Sequence, residues 1–174
     1  MKRRPPRSDR MRALRELLRG GGAHADALAS VAVPFELAGR IAPGFPHSVA
    51  QLVFHISYWI EYELERIAGR KPPYPEHAAL SWPSAPAPAS PAAWRAELAR
   101  LEAALDGLAA LARSRPAALA RPIDVTHPSY ARNARSLEAV LWQTLVHNAY
   151  HLGQVVLVRQ ALGAWPPAGG ADTW

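Results

Sequence analysis

An all-α helical bundle is the fold class this sequence predicts, on three observations. Apolar residues recur at helical spacing in four stretches, no stretch alternates at period two for long enough to demand a sheet, and proline and glycine clusters separate the periodic stretches. The length of 174 residues suits one domain, and an apolar content of 49% supplies a core. Residues 1–174 are therefore expected to form a single helical domain, of which residues 1–8 are a basic tail.

The first helix is expected to be capped by Ser8 and Asp9 and to reach about Arg19, with Met11, Leu14, Leu17 and Leu18 on one side and Gly20-Gly21-Gly22 as its stop. Residues 20–46 are broken by Pro34, Pro43 and Gly44, and read as turns with a short helix around Phe35 to Ile41. A second long helix starts after Pro46 with Ser48 as N-cap. Val49, Leu52, Val53, Ile56, Ile60, Leu64 and Ile67 mark its buried side as far as Gly69. Seven prolines from Lys71 to Pro91 exclude regular structure there and predict a long extended crossover over the surface. Trp94, Leu98, Leu101, Leu105, Leu108 and Ala112 mark a third helix, and Arg113 to Pro128 breaks the pattern. The fourth helix runs from Ser136, its cap, to Leu162, and ends at Gly163 with Pro166-Pro167 beyond.

Composition excludes several classes of function. With no cysteine the chain forms no disulfide, no thiolate metal site and no cysteine nucleophile, so any metal is held by His and carboxylate. No apolar run reaches the roughly 18 residues that a membrane span needs, and no apolar stretch follows the basic start as a secretory signal would. A cytoplasmic protein is expected. The net charge of +6 lies entirely in residues 1–19, where eight basic side chains face Asp9 and Glu16, while the remainder balances twelve basic against twelve acidic. The basicity belongs to the tail and first helix and not to a domain face, which argues against nucleic acid as partner.

The chemistry concentrates in three of the seven histidines. His147 and His151 are four apart in the fourth helix, on one side and one turn apart, a spacing that lets two imidazoles meet one ion. Their stripe continues through Leu141, Thr144, Val155 and Val158, so the pair points inward. His55 lies in the second helix on the side of Leu52, Ile56 and Trp59, and also points inward. If those helices are neighbours, the three rings can converge on a divalent cation and leave positions open for water or substrate. The competing reading is a set of core histidines satisfied by hydrogen bonds, although no buried carboxylate is evident nearby to pair with them. His147-Asn148-Ala149-Tyr150-His151 lacks the Glu that follows the first His in the zincin protease motif, so peptide hydrolysis of that type is excluded.

Other residues carry weaker signals. His24, His47, His77 and His127 fall in loops, where a solvated imidazole is expected. Tyr58, Trp59, Tyr62, Trp142 and Tyr150 read either as the lining of a pocket beside the ion or as core. Glu61 is expected in solvent. Thr144 either assists a water on the ion or bonds back to its own helix.

The stretch from His147 to Trp165, with His55 in the context Gln51-Leu-Val-Phe-His55, resembles the DinB/YfiT-like superfamily. The resemblance extends to Gly20-Gly21-Gly22-Ala23-His24 and to the Pro46-His47-Ser48 helix start. It implies a four-helix bundle in up-down-down-up order, commonly dimeric. It also implies a three-histidine site for zinc, nickel or iron, falling here on His55, His147 and His151. Related members are similar to thiol-dependent S-transferases and to a thiol-dependent isomerase, so a low-molecular-weight thiol is an implied cofactor and a small molecule the implied substrate. The long Pro/Ala-rich crossover departs from the family pattern, and no substrate pocket carries over. The expectation is a metal-dependent enzyme, transferring a thiol or hydrolysing with metal-activated water; the alternative is a non-catalytic metal- or ligand-binding module.

Overall fold

A computed structural model describes residues 7–20, 22–70, 78–123 and 135–170. Seven helices appear among them: α1 (Arg7–Leu17), α2 (Ala27–Val31), α3 (Phe35–Ala38), α4 (Val49–Ile67), α5 (Pro91–Ala112), α6 (Pro116–Leu119) and α7 (Leu137–Ala161), with a 3-10 turn at Ala78–Ser81 before α5. Four of them, α1, α4, α5 and α7, are the expected long helices, and among the described residues no strand forms. One isolated antiparallel bridge joins Pro122 to Ser136.

Capping chemistry sets the helix starts. Ser48 accepts a bond from the Gln51 backbone N–H and Gln51 Oε1 accepts from the Ser48 N–H, a reciprocal capping box that opens α4. Ser90 and Ser136 cap α5 and α7 by the single bond, their hydroxyl oxygens accepting from the Ala93 and Ala139 N–H groups. At the other end of α1, Gly20 adopts φ +88° with the Ala25 carbonyl so close that no side chain fits, so the turn there requires glycine.

Contacts fix the helix directions. Along α4 and α5 they advance in step: Gln51 lies by Trp94 and Glu97, Glu61 pairs with Arg100, and Leu64 lies over Gly107. Along α4 and α7 they run oppositely, His55 meeting His151, and Trp59 meeting His147. α1 starts beside α7, where Arg10 donates to Glu138 at 2.6 Å, and two residues past its end Arg19 pairs with Asp106 of α5. The order is up-down-down-up. Buried Leu14, Leu52, Ile56, Ile60, Leu101, Leu105, Leu108 and Leu141 form the shared core.

Because α4 and α5 are parallel, the chain must return the full length of α4, about 28 Å at the helical rise, before α5 begins. On the way it is fastened to the start of α4: Ser48 Oγ donates to the Pro86 carbonyl at 2.5 Å and Gln51 Nε2 to the Pro83 carbonyl at 2.8 Å.

Several expectations are corrected. α1 begins at Arg7, so Ser8 and Asp9 fall in its first turn, and it stops at Leu17. A further helix, α2, forms in the segment read as turns, its Asp26 cap accepting from the Ala29 N–H at 2.9 Å. α3 ends at Ala38 and not near Ile41. The proline-rich crossover holds a 3-10 turn, and Pro116 starts the one-turn helix α6 where no helix was expected. Glu61 is not simply solvated: its carboxylate accepts two bonds from Arg100, at 2.8 and 2.6 Å, and ties α4 to α5. The basic residues 1–6 and the crossover residues 71–77 lie outside the described residues.

Replacing Ser48 by Ala removes both the cap of α4 and the tie to Pro86. A loss of about 1–2 kcal/mol in unfolding free energy is expected from urea titration; an unchanged midpoint would show that neither bond contributes.

Candidate metal centre

α4 and α7 present three imidazoles to one another. His55 and His151 are buried and His147 is half-buried. The ring centroids of His55 and His151 are 4.5 Å apart, those of His147 and His151 are 4.5 Å apart, and those of His55 and His147 are 5.3 Å apart. One nitrogen from each ring lies within 4.8 Å of the corresponding nitrogens of the other two. All three residues expected to converge do so.

Two of the rings are oriented by partners at Nδ1. His151 Nδ1–H donates to Gln154 Oε1 at 2.7 Å, one turn on along α7. His55 Nδ1 lies 3.1 Å from the hydroxyl of Ser81, itself buried in the 3-10 turn. With Nδ1 engaged, Nε2 of each ring is left to meet a ligand, and the partners at Nδ1 set the aim of the two rings. The ring of Trp82 is stacked between two imidazoles, 3.8 Å from His55 at 17° and 4.0 Å from His47 at 11°. His47 is thus no solvated loop residue, as its position by Pro46 had implied: it is half-buried and backs the indole that backs His55. His24 is also engaged, its Nδ1 lying 2.9 Å from the Ala25 carbonyl. His77 and His127 lie outside the described residues.

Electrostatics favours the ligand form of all three rings. Burial, reinforced by His151 and His147 beside it, lowers the His55 pKa from 6.5 to about 3. Burial lowers His147 too, with His151 next in effect, and burial lowers His151. Neutral imidazoles carry the lone pairs that a cation needs, so the donor set fits a divalent ion, and three neutral nitrogens leave coordination positions over.

A pocket of about 350 Å³ opens beside the rings, lined by His55, Trp59, Glu63, Arg66, Gln143, Thr144 and His147. Of the aromatics considered for this role, Trp59 supplies a wall. Tyr58 and Tyr62 line a separate shallow groove with Glu61 and Glu65, and Tyr150 is exposed, its ring edge-on to His151 at 5.0 Å. Thr144 bonds back, donating to the Val140 carbonyl at 2.9 Å. The pocket also holds a carboxylate away from the rings: Glu63 accepts from Arg66 Nη1 at 2.8 and 2.6 Å, with side-chain exposures of 13% and 10%. The signal was present in the 4-4-3 spacing of His55, Trp59, Glu63 and Arg66, which puts all four on one stripe.

Four long helices, two of which carry a three-imidazole centre between them, define a helical bundle with a candidate metal site. Residues 8–155 match the DinB superfamily, and the chain belongs to that superfamily. No curated protein and no solved structure matches the chain significantly. Among the described residues no helix is long and apolar enough to cross a membrane.

A ring whose folded pKa lies below 6.5 binds fewer protons folded than unfolded. Its contribution to stability is therefore complete above about pH 6.5 and lost as the pH falls toward about 3. Metal-free protein should show falling urea midpoints across that window, and His55→Gln should flatten the fall; equal slopes for the two proteins would place the rings in water.

Proposed function

We propose that the protein binds one divalent cation through His55, His147 and His151, and that it is a metal-dependent enzyme acting on a small molecule in the adjoining pocket. The observation that carries this reading is the convergence of three imidazoles, two of which, His55 and His147, line an open pocket. A purely structural ion needs no such opening; a reactive one does. When bound, zinc, nickel or iron supplies Lewis acidity, lowering the pKa of a thiol or water brought to it so that a nucleophile forms at neutral pH.

The chain's own residues supply the rest. Ser81 and Gln154 hold the ring orientations of His55 and His151, so that little is reorganised when a ligand arrives. Trp82 fixes the plane of His55 and closes that side of the ring from water. Trp59 offers a flat apolar wall on which an electrophile's carbon skeleton can lie. Transfer of a small thiol to such an electrophile is the reaction we assign, with hydrolysis by water as the variant in which no thiol enters. A cytoplasmic setting, where small thiols are kept reduced, is part of the same proposal.

We also propose that a second copy covers the outer face of α7, where Val146, Tyr150 and Leu157 are 63%, 64% and 52% exposed with Gly153 between them. Light scattering should report a dimer for the wild type and a monomer for Leu157→Glu; a monomeric wild type would refute this.

His147→Ala should abolish stoichiometric metal while circular dichroism stays helical, and equal metal content in the two proteins by elemental analysis would refute the site. Ser81→Ala should weaken metal affinity about 10–100-fold, as loss of an orienting partner does elsewhere. A closed four-ligand shell in an absorption spectrum of the cobalt form would assign the ion a structural role instead of a catalytic one.

A further inference from the structure

Every imidazole of the centre but one has an oxygen beside it. Ser81 meets His55 and Gln154 meets His151, whereas among the described residues no hydrogen bond reaches the ring of His147. The next residue along α7, Asn148, has the opposite need. It is 3% exposed, and neither its amide oxygen nor its amide nitrogen has a hydrogen-bond partner. Among the described residues no other side chain leaves two buried polar atoms unpaired. Such burial costs free energy that an apolar side chain of similar size does not cost, so the amide has a role outside the packing of the core.

The two needs meet at one place. Asn148 follows His147 directly, three residues before His151 and four after the pocket-lining Thr144, so helical spacing sets it at the edge of the face that carries the centre. Its amide already acts on the His147 ring, favouring the protonated ring against the larger lowering by burial and by His151. Only an acceptor acts in that direction. The amide oxygen is therefore the atom turned to the ring, at a length or angle that falls short of a hydrogen bond.

We propose that Asn148 is the positioning residue of His147: when a cation takes one nitrogen of that ring, the N–H on the other nitrogen donates to Asn148 Oδ1. The inference rests on the metal reading above. Consecutive residues of one helix carry the two groups, so a small turn of either side chain closes the bond, as site hydrogen bonds that are loose in the empty protein tighten when it is loaded. An amide suits this task better than a carboxylate, which would stand as an uncompensated buried charge in the metal-free chain. The unpaired amide of the metal-free chain is then the counterpart of a bond made only on loading, and all three rings gain an oxygen partner.

The test compares the full chain with Asn148→Leu, which keeps the bulk and removes the amide. By competition with a chelating dye, the variant should hold zinc about 10–100-fold more weakly. Its metal-free urea midpoint should stay equal or rise, because the unpaired amide is gone. In nitrogen NMR of histidine-labelled, zinc-loaded protein, the His147 N–H should exchange slowly with solvent in the wild type and fast in Asn148→Leu, with His55 and His151 unchanged. Asn148→Asp, which keeps an acceptor oxygen there, should exchange slowly. Equal zinc affinity in wild type and Asn148→Leu overturns the assignment and spares the metal site. A lower metal-free midpoint for Asn148→Leu, or its failure to fold, shows that the amide is already bonded within the fold and also overturns it. Fast exchange at His147 in the loaded wild type or in Asn148→Asp does the same. A wild type that takes up no zinc overturns the metal reading on which the assignment stands.

Discussion

The antiparallel packing of α4 on α7 is the constraint from which the site follows. It brings His55 opposite His147 and His151 at the one level where three rings from two helices share a common point. Each ring is a polar group in a largely apolar setting, and burying such a group without a partner costs about 1–3 kcal/mol. Protonation would satisfy the nitrogens individually, but charges this close repel, and burial opposes the charged form at all three positions. Ser81 and Gln154 relieve two Nδ1 atoms, which leaves the inward-facing nitrogens as lone-pair donors awaiting an acceptor.

The second consequence of topology is the crossover. Since α4 and α5 point the same way, the connection between them has to travel back along α4, and this route carries Ser81 and Trp82 to His55. A proline-rich chain suits that task, because an extended segment with few backbone donors needs little hydrogen bonding from the surface it crosses. The carbonyls of Pro83 and Pro86 take their bonds from Gln51 and Ser48, residues that already form the capping box of α4. One cluster of side chains thus starts the helix, anchors the loop and indirectly sets the plane of a candidate ligand.

Much of the fold was legible because the relevant signals are local. Ser48 and Ser136 act as the caps that serine before an apolar periodic run implies, and α1, α4 and α7 end close to the glycines that mark them. The misses share a cause. α2 and α6 are one or two turns long, too short for periodicity to show, and exist by packing against larger helices. Arg159, on the far end of α7, supports α2 by donating to the carbonyls of Ala29 and Ser30, at 2.8 and 2.6 Å. That contact joins residues about 130 positions apart, and no local pattern encodes it. His47 and Glu61 were misjudged for the same reason: their partners, Trp82 and Arg100, are distant in the chain.

The sequence by itself determined the helical class, the helix limits to within a few residues, and the inward aim of His55, His147 and His151, because helical period and capping act over one to two turns of chain. Only tertiary structure decided that Trp82 lies between two imidazoles, that Ser81 bonds His55, and that Glu63 and Arg66 share a pocket with the rings. Those relations depend on which helices are neighbours and in which direction each runs. Such choices are made by burying apolar stripes against one another, a global balance that leaves no local mark on the residues it brings together.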